Sequence, residues 1–317
     1  MPSTALPEST PSIILGTNVI GWNVDEAASF RILDAAAERG LIALDTADVY
    51  SHWAKGNAGG ESEAIIGKWM TARGNRARIH IHTKGGAPGA PGELANGNAT
   101  AAHLTKAVDA SLRRLGTDHI DLYYLHYDDT VTPPEETLGC FARLIEAGKI
   151  RAIGGSNYEP QRLAQVMETA ERLGLPGYAV LQTHYNLCVR KAFEAELKPI
   201  CDRHGLGVMA YFALAEGFLT GKYRTAEDVA KSAARGGDAI AYLGPRGLRI
   251  LAGLDEVAAT HGANCAQVAL AWLAAKPRVR PIASATSIAQ LDDLAAAMAL
   301  NLTAADVAVL DSASSED

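Results

Sequence analysis

Cysteine is scarce in this 317-residue sequence: only Cys140, Cys188, Cys201 and Cys265, far apart and without a CxxC pair. That excludes a disulfide-stapled secreted scaffold and points to a reduced, cytoplasmic protein whose thiols simply pack. An excess of cations is also missing. The 29 Lys and Arg against 36 Asp and Glu give a net charge of −7, which leaves no electrostatic footprint for nucleic acid. No apolar run approaches the roughly 20 residues of a membrane-spanning helix. No basic-then-apolar opening resembles a signal peptide, and residues 1–12 read as a flexible lead. Gly56, Gly59 and Gly60 form a flexible loop with no Lys-Ser or Lys-Thr behind them in phosphate-loop spacing. His80 and His82 share a strand face but lack a third and fourth ligand, so no metal is expected. Arg113 and Arg114 read as solvated surface. No linker or shift of composition divides the chain, which predicts one domain over 1–317.

What is present is a rhythm. Short aliphatic runs centre on residues 13–15, 42–44, 79–81, 120–125, 151–153, 179–181, 207–209 and 281–283. Between them lie stretches of helical period. Residues 25–38 carry Phe30, Leu33 and Ala37 on one stripe, with Asp25 as a cap. Residues 100–115 space Leu104, Val108 and Leu112 four apart and stop at Gly116. Pro133 and Pro134 open a helix that runs towards Gly148, and residues 160–173 close at Gly174. Strand and helix alternating eight times predict parallel pairing through right-handed crossovers, hence an α/β fold of the (β/α)8 barrel type. Two stretches exceed the repeat: a long Gly/Arg/Ala-rich loop over 213–247, expected to fold over a ligand, and a terminal helix near 303–312 capped by Thr303.

In such a barrel chemistry sits at the carboxyl ends of the strands. The residues following the apolar runs are Asp45, Lys84, His126, Ser156 with Asn157, Gln182, Tyr211 and Ser284. A carboxylate, an ammonium and an imidazole on adjacent strands converge on one rim, with Tyr50 five residues past Asp45. A phenol titrates near pH ~10 and is a poor acid at neutrality. A neighbouring ammonium is expected to lower that value and make Tyr50 a usable proton donor. Asp45 then neutralises Lys84, and His126 orients a carbonyl. Such a group has no nucleophile and suits reversible carbonyl reduction. Ser156, Asn157 and Gln182 can grip a carboxamide, and Tyr211 offers a face for a nicotinamide ring. Ser284, Thr286 and Ser287 present hydroxyls at a helix start, where a phosphate fits. Trp22, His52, Trp53 and Tyr127 lie near the rim as candidate walls of the substrate pocket.

These residues resemble the aldo-keto reductase superfamily. Asp45-Thr46-Ala47-Asp48-Val49-Tyr50 is similar to its aspartate–tyrosine motif. Thr83-Lys84-Gly85 and Asp121-Leu122-Tyr123-Tyr124-Leu125-His126 resemble its lysine and histidine motifs. Gly154-Gly155-Ser156-Asn157 and Leu219-Thr220-Gly221-Lys222-Tyr223 resemble two further ones. The resemblance implies a tetrad of Tyr50, Lys84, Asp45 and His126, and hydride transfer with NADP(H), NAD(H) being possible, to a small carbonyl or alcohol. It also implies cofactor contacts at Gly16 and Thr17, at Phe212, Leu214, Gly217, Leu219, Gly221 and Lys222, and at Gln290. Three departures stand out. No basic residue lies between Arg280 and the carboxyl terminus to hold a 2′-phosphate, although Lys222 or Arg224 can compensate. Phe212-Ala213 replaces serine–proline, and the amino-terminal hairpin is shortened to residues 5–12. An NAD-linked alcohol or sugar dehydrogenase and a nucleotide-sensing regulatory barrel are the alternatives.

Overall fold

Side chains alternate across a strand with period two, so a strand buried on both sides must satisfy two different neighbours. In the computed structural model, which describes residues 10–88, 97–230 and 239–316, both sets of neighbours are apolar. Ile14, Ala43, Leu122, Tyr124, Val180, Met209 and Ile282 fill the inside of a barrel. Ile13, Leu15, Leu44, Ile81, Tyr123 and Leu125 face outward into a second, larger core under the helices. The strands are β1 (Ile14–Gly16), β2 (Ala43–Asp45), β3 (His80–Gly85), β4 (Ile120–Leu125), β5 (Ile150–Ser156), β6 (Val180–His184), β7 (Gly207–Tyr211) and β8 (Val279–Ser284). They pair in parallel and in chain order. The barrel closes by β1 on β8, with Ile14 opposite Ile282 and Gly16 opposite Ser284. The expected (β/α)8 architecture is present.

Several strands run past their apolar runs. Asp45, Lys84, Ser156, Gln182, Tyr211 and Ser284 still belong to the sheet, because ladder pairing uses backbone groups and tolerates a polar side chain at the rim.

The capping signals operate as read. Asp25 accepts from the Ala28 amide at 2.8 Å to start helix Glu26–Glu38. Thr100 caps Ala101–Leu115, and Thr303 forms a reciprocal capping box with Asp306 before Ala304–Ala313. Gly116 ends its helix at φ +62°, a conformation only glycine adopts without strain. Among the described residues, five α-helices escaped a specific prediction: Glu61–Arg73, Lys198–His204, Ala226–Ala230, Pro245–His261 and Cys265–Ala274. The last is buried from Val268 to Leu273, so it shows no amphipathic stripe.

The long loop after β7 holds a 3-10 turn at Ala215–Thr220 and a short helix at Ala226–Ala230, and it ends at Pro245, where the next helix begins. Residues 231–238 of that loop, and residues 1–9 of the expected lead, lie outside the described residues. No single helix among the described residues is long and apolar enough to cross a membrane. All four cysteines are buried and unpaired.

Candidate active site

Beyond β2 the chain turns sharply back over the rim. The Asp48 amide donates to the Lys84 carbonyl at 3.1 Å, and the Ser51 hydroxyl ties the turn to Ile20 O at 2.7 Å. This carries Tyr50 onto the end of β3. Lys84 is fully buried. Its Nζ donates to Asp45 Oδ1 at 2.5 Å, to Thr46 O at 2.8 Å and to the Tyr50 hydroxyl at 2.9 Å. The remaining oxygen of Asp45 accepts from Gln182 Nε2 at 2.8 Å. His126, one residue past β4, stands edge-on to Tyr50 with ring centres 6.3 Å apart. The four residues singled out from strand ends meet in one cluster.

Burial governs their protonation. It opposes the Lys84 charge, but Asp45 and Tyr50 outweigh it, so the ammonium is held above its usual range. For Tyr50 the expectation fails in sign. Burial raises the phenol above its ordinary value of 10.0, and the Lys84 ammonium draws it back only in part. The reason is that the half-buried Tyr50 ring is packed among side chains at the cavity wall, a property no residue spacing reveals. Burial also pushes His126 well below its ordinary range, helped by Lys84, and its Nδ1 is buried without a partner. The ring is therefore a neutral hydrogen-bonding group at neutral pH.

Under the cluster, buried Glu63 accepts from Thr83 Oγ1 at 2.6 Å and from Arg114 Nε at 2.6 Å, which fixes the end of β3. Arg114 is thus a buttress of the site, contrary to the surface role read from its sequence. Charge complementarity with a glutamate 51 positions away is invisible locally.

His82, beside Asp45 in the β2–β3 register, carries a testable consequence. Burial pushes it down to about 4. The unfolded chain protonates it near pH ~6.5, so the unfolded state binds more protons between those values and stability falls as pH falls through that window. Lowering the pH from 7 to 5 is expected to remove about 2 kcal/mol through this group. Urea midpoints at the two values, with His82→Gln flattening the dependence, check it.

A cavity of about 700 Å³ opens on the cluster at the carboxyl ends of the strands. Asp45, Tyr50 and His126 line it, with Lys84 just behind. Of the cofactor candidates, Gly16, Ser156, Asn157 and Gln182 line it from the strand ends. Tyr211 lines it from the end of β7, Phe212, Leu214, Gly217 and Lys222 from the loop that follows, and Ser284, Thr286 and Gln290 from β8 onward. Four candidates are not on the wall. Thr17 is buried, donating to Asp45 O at 2.9 Å and accepting from Ser62. Leu219 is fully buried in the core, Gly221 closes a turn against Cys265, and Ser287 caps the helix Ile288–Ala299. Arg224 does not line the cavity either, being held bidentately by Asp255 at 2.6 and 2.7 Å.

Residues that sequence reasoning passed over also line the cavity. Asn18 accepts from Ser284 Oγ at 2.6 Å, and Asp293 accepts from Asn264 and Gln267. Ala266 and Leu270 come from the helix with no stripe. Of these, only Asn18, next to the Gly16-Thr17 motif, carried a local signal.

The wall fits a nicotinamide dinucleotide. His184 stacks on Tyr211 at 5.4 Å with planes 24° apart, leaving the other face for a planar ring. Tyr211 donates to Asn157 Oδ1 at 2.8 Å, and Asn157 donates to His126 O at 3.1 Å, so the stacking ring and the imidazole share one frame. Phe212, Ala215 and Glu216 all have positive φ (50°, 46° and 56°), strain concentrated in the turn that follows the stacking tyrosine.

A profile described as the aldo/keto reductase family matches residues 12–315. The chain belongs to the aldo/keto reductase family. It is 34% identical over 295 residues to Uncharacterized oxidoreductase YrpG of Bacillus subtilis, covering 92% of this chain and 88% of that protein. It is 30% identical to the L-glyceraldehyde 3-phosphate reductase of Escherichia coli strain K12, covering 88% and 81%. It is 32% identical to a probable voltage-gated potassium channel subunit beta of Arabidopsis thaliana, covering 90% and 84%. This aldo/keto reductase is an oxidoreductase of the carbonyl and alcohol class.

Proposed function

We propose that this enzyme interconverts a carbonyl compound and its alcohol with NADP(H) or NAD(H), Tyr50 giving or taking the proton. The observation that carries the reading is the buried Lys84 ammonium, 2.9 Å from the Tyr50 hydroxyl and neutralised by Asp45 on the wall of the cavity. When bound, the reduced nicotinamide would supply a hydride, two electrons and one hydrogen, to the carbonyl carbon and be left oxidised. Tyr50, protonated at neutral pH, donates its proton to the carbonyl oxygen, and Lys84 stabilises the phenolate that results. The neutral His126 ring hydrogen-bonds and aims the carbonyl. Asn157, Gln182 and Tyr211 would hold the nicotinamide, and the 212–217 turn with Ser284, Thr286 and Gln290 the remainder. Unpaired buried cysteines support a reducing compartment such as the cytoplasm.

Among the described residues that line the cavity, Lys222 is the one Lys or Arg, and Asp293 and Glu216 are acidic. NADPH and NADH are therefore expected to bind within about tenfold of each other, or about 1.4 kcal/mol. Cofactor-fluorescence titration with both, followed by a panel of carbonyls, tests the reading. Binding with turnover supports it. Tight binding without turnover of any carbonyl would favour a nucleotide-sensing role, the reading that the channel-subunit relative brings in.

A further inference from the structure

We propose that the substrate is an uncharged carbonyl compound bearing an aromatic or flat alicyclic ring, seated on Trp53 and Tyr127, and that small phosphorylated aldehydes are disfavoured. The proposal rests on the assignment of Tyr50 as proton donor. The cavity wall divides by the strands that support it. The sector over β7, β8 and the end of β1 supplies the polar groups and Lys222. The sector over β2, β3 and β4, which surrounds the Tyr50 hydroxyl, is made by Val49, His52, Trp53, Ala87, Pro88 and Tyr127.

Two features of the second sector select the ligand. The first is open, rigid aromatic surface. Trp53 and Tyr127 are 42% and 37% exposed and stand together on the cavity wall, so their ring surface is open to a ligand. Trp53 is braced on three sides: by Trp22 edge-on at 5.7 Å, by His52 at 5.1 Å and by Tyr50 at 5.9 Å. Trp22, as exposed as Trp53, does not line the cavity; it is a positioning residue packed edge-on against Trp53. Tyr127 packs on His126 at 5.2 Å. A flat ring can bury itself here without the sector first reorganising.

The second feature is that, among the described residues of this sector, no positive charge is left for an anion. Lys84 already serves Asp45, Thr46 O and Tyr50. Arg162, which reaches the loop after β4, is held by Asp128 at 2.7 Å and by Thr132 O. Lys55 is exposed and does not line the cavity. Residues 89–96, which follow Pro88, contain no Lys or Arg. A phosphate placed beside Tyr50 would lose its hydration with no charged partner in return. The relative named for L-glyceraldehyde 3-phosphate is therefore a poor guide to this chain's substrate.

The reaction balances as carbonyl compound, reduced dinucleotide and one proton giving alcohol and oxidised dinucleotide, with no further reactant. Steady-state kinetics with NADPH on 2-naphthaldehyde, propanal and glyceraldehyde 3-phosphate test the proposal. Conjugation makes naphthaldehyde the less electrophilic aldehyde, so a preference for it reports binding. Its kcat/KM is expected to exceed that of propanal by about tenfold and that of the phosphorylated aldehyde by about a hundredfold. Trp53→Ala should lower the naphthaldehyde-to-propanal ratio about tenfold, mainly through KM, while Trp53→Phe retains most of it and Trp22→Ala falls between. Equal or better turnover of propanal or of the phosphorylated aldehyde, with no change of ratio in Trp53→Ala, overturns the proposal and leaves the Tyr50 assignment standing. Turnover of none of the three removes both.

Discussion

Tyr50→Phe is expected to lower kcat for carbonyl reduction by about 10²–10⁴-fold, the range associated with loss of a positioned general acid. The phenyl ring keeps the packing against Trp53 and His126, so only the hydroxyl that Lys84 contacts at 2.9 Å is lost. Nucleotide affinity should change by less than about twofold, because the residues proposed to hold the dinucleotide are untouched. The pH profile separates this from a general loss of structure. Burial holds the Tyr50 proton above its ordinary range, so the parent is expected to reduce carbonyls without decline through pH 9. The residual activity of the variant should lack any alkaline limb belonging to a phenol. Near-full activity in Tyr50→Phe would falsify the assignment.

Lys84→Met is expected to fail twice. The phenolate loses the charge that stabilises it, so turnover should fall at least as far as in Tyr50→Phe. Stability should fall too. Asp45 is 2% exposed, and without the ammonium its carboxylate keeps only the hydrogen bond from Gln182. Breaking a buried ion pair by removing one partner costs about 3–5 kcal/mol, largely because the other charge is stranded. Denaturant titration measures this directly. Adding Asp45→Asn to Lys84→Met should recover part of the loss by removing the stranded charge, with no recovery of activity. A Lys84→Met variant as stable as its parent would mean that the Lys84–Asp45 pair is hydrated rather than buried.

Much of this arrangement was legible before any coordinates. Aliphatic runs with polar ends, repeated eight times, point to a barrel because each run must be buried on two faces, and a parallel strand needs a crossover helix to return. The caps at Asp25 and Thr303 were equally plain, since a hydroxyl or carboxylate three residues before a free amide is a local interaction. Asp45, Lys84 and His126 were singled out because they stand at strand ends, positions the period of the chain defines, and Tyr50 because it follows Asp45 by five residues.

Other features depended on distance. Helix Cys265–Ala274 hid from periodicity because it is apolar on nearly every side. Ala266 and Leu270 reach the cavity only after that helix packs behind β8. Trp22 and Trp53 look alike in sequence, yet only Trp53 stands on the cavity wall. The sign of the Tyr50 shift could not be inferred from the presence of Lys84 alone. It is the balance of burial against a charge 34 residues away, in a corner also sealed by a glutamine 137 residues from Asp45.

The order of residue types along the chain was enough to specify the barrel, the four clustered polar side chains and the rim on which they sit, because those follow from local period and strand polarity. Closure of the barrel decided which neighbours each side chain meets, how dry it becomes and hence how tightly it holds its proton. Solvation and charge are properties of a volume, and a volume is filled by segments that the linear sequence keeps apart.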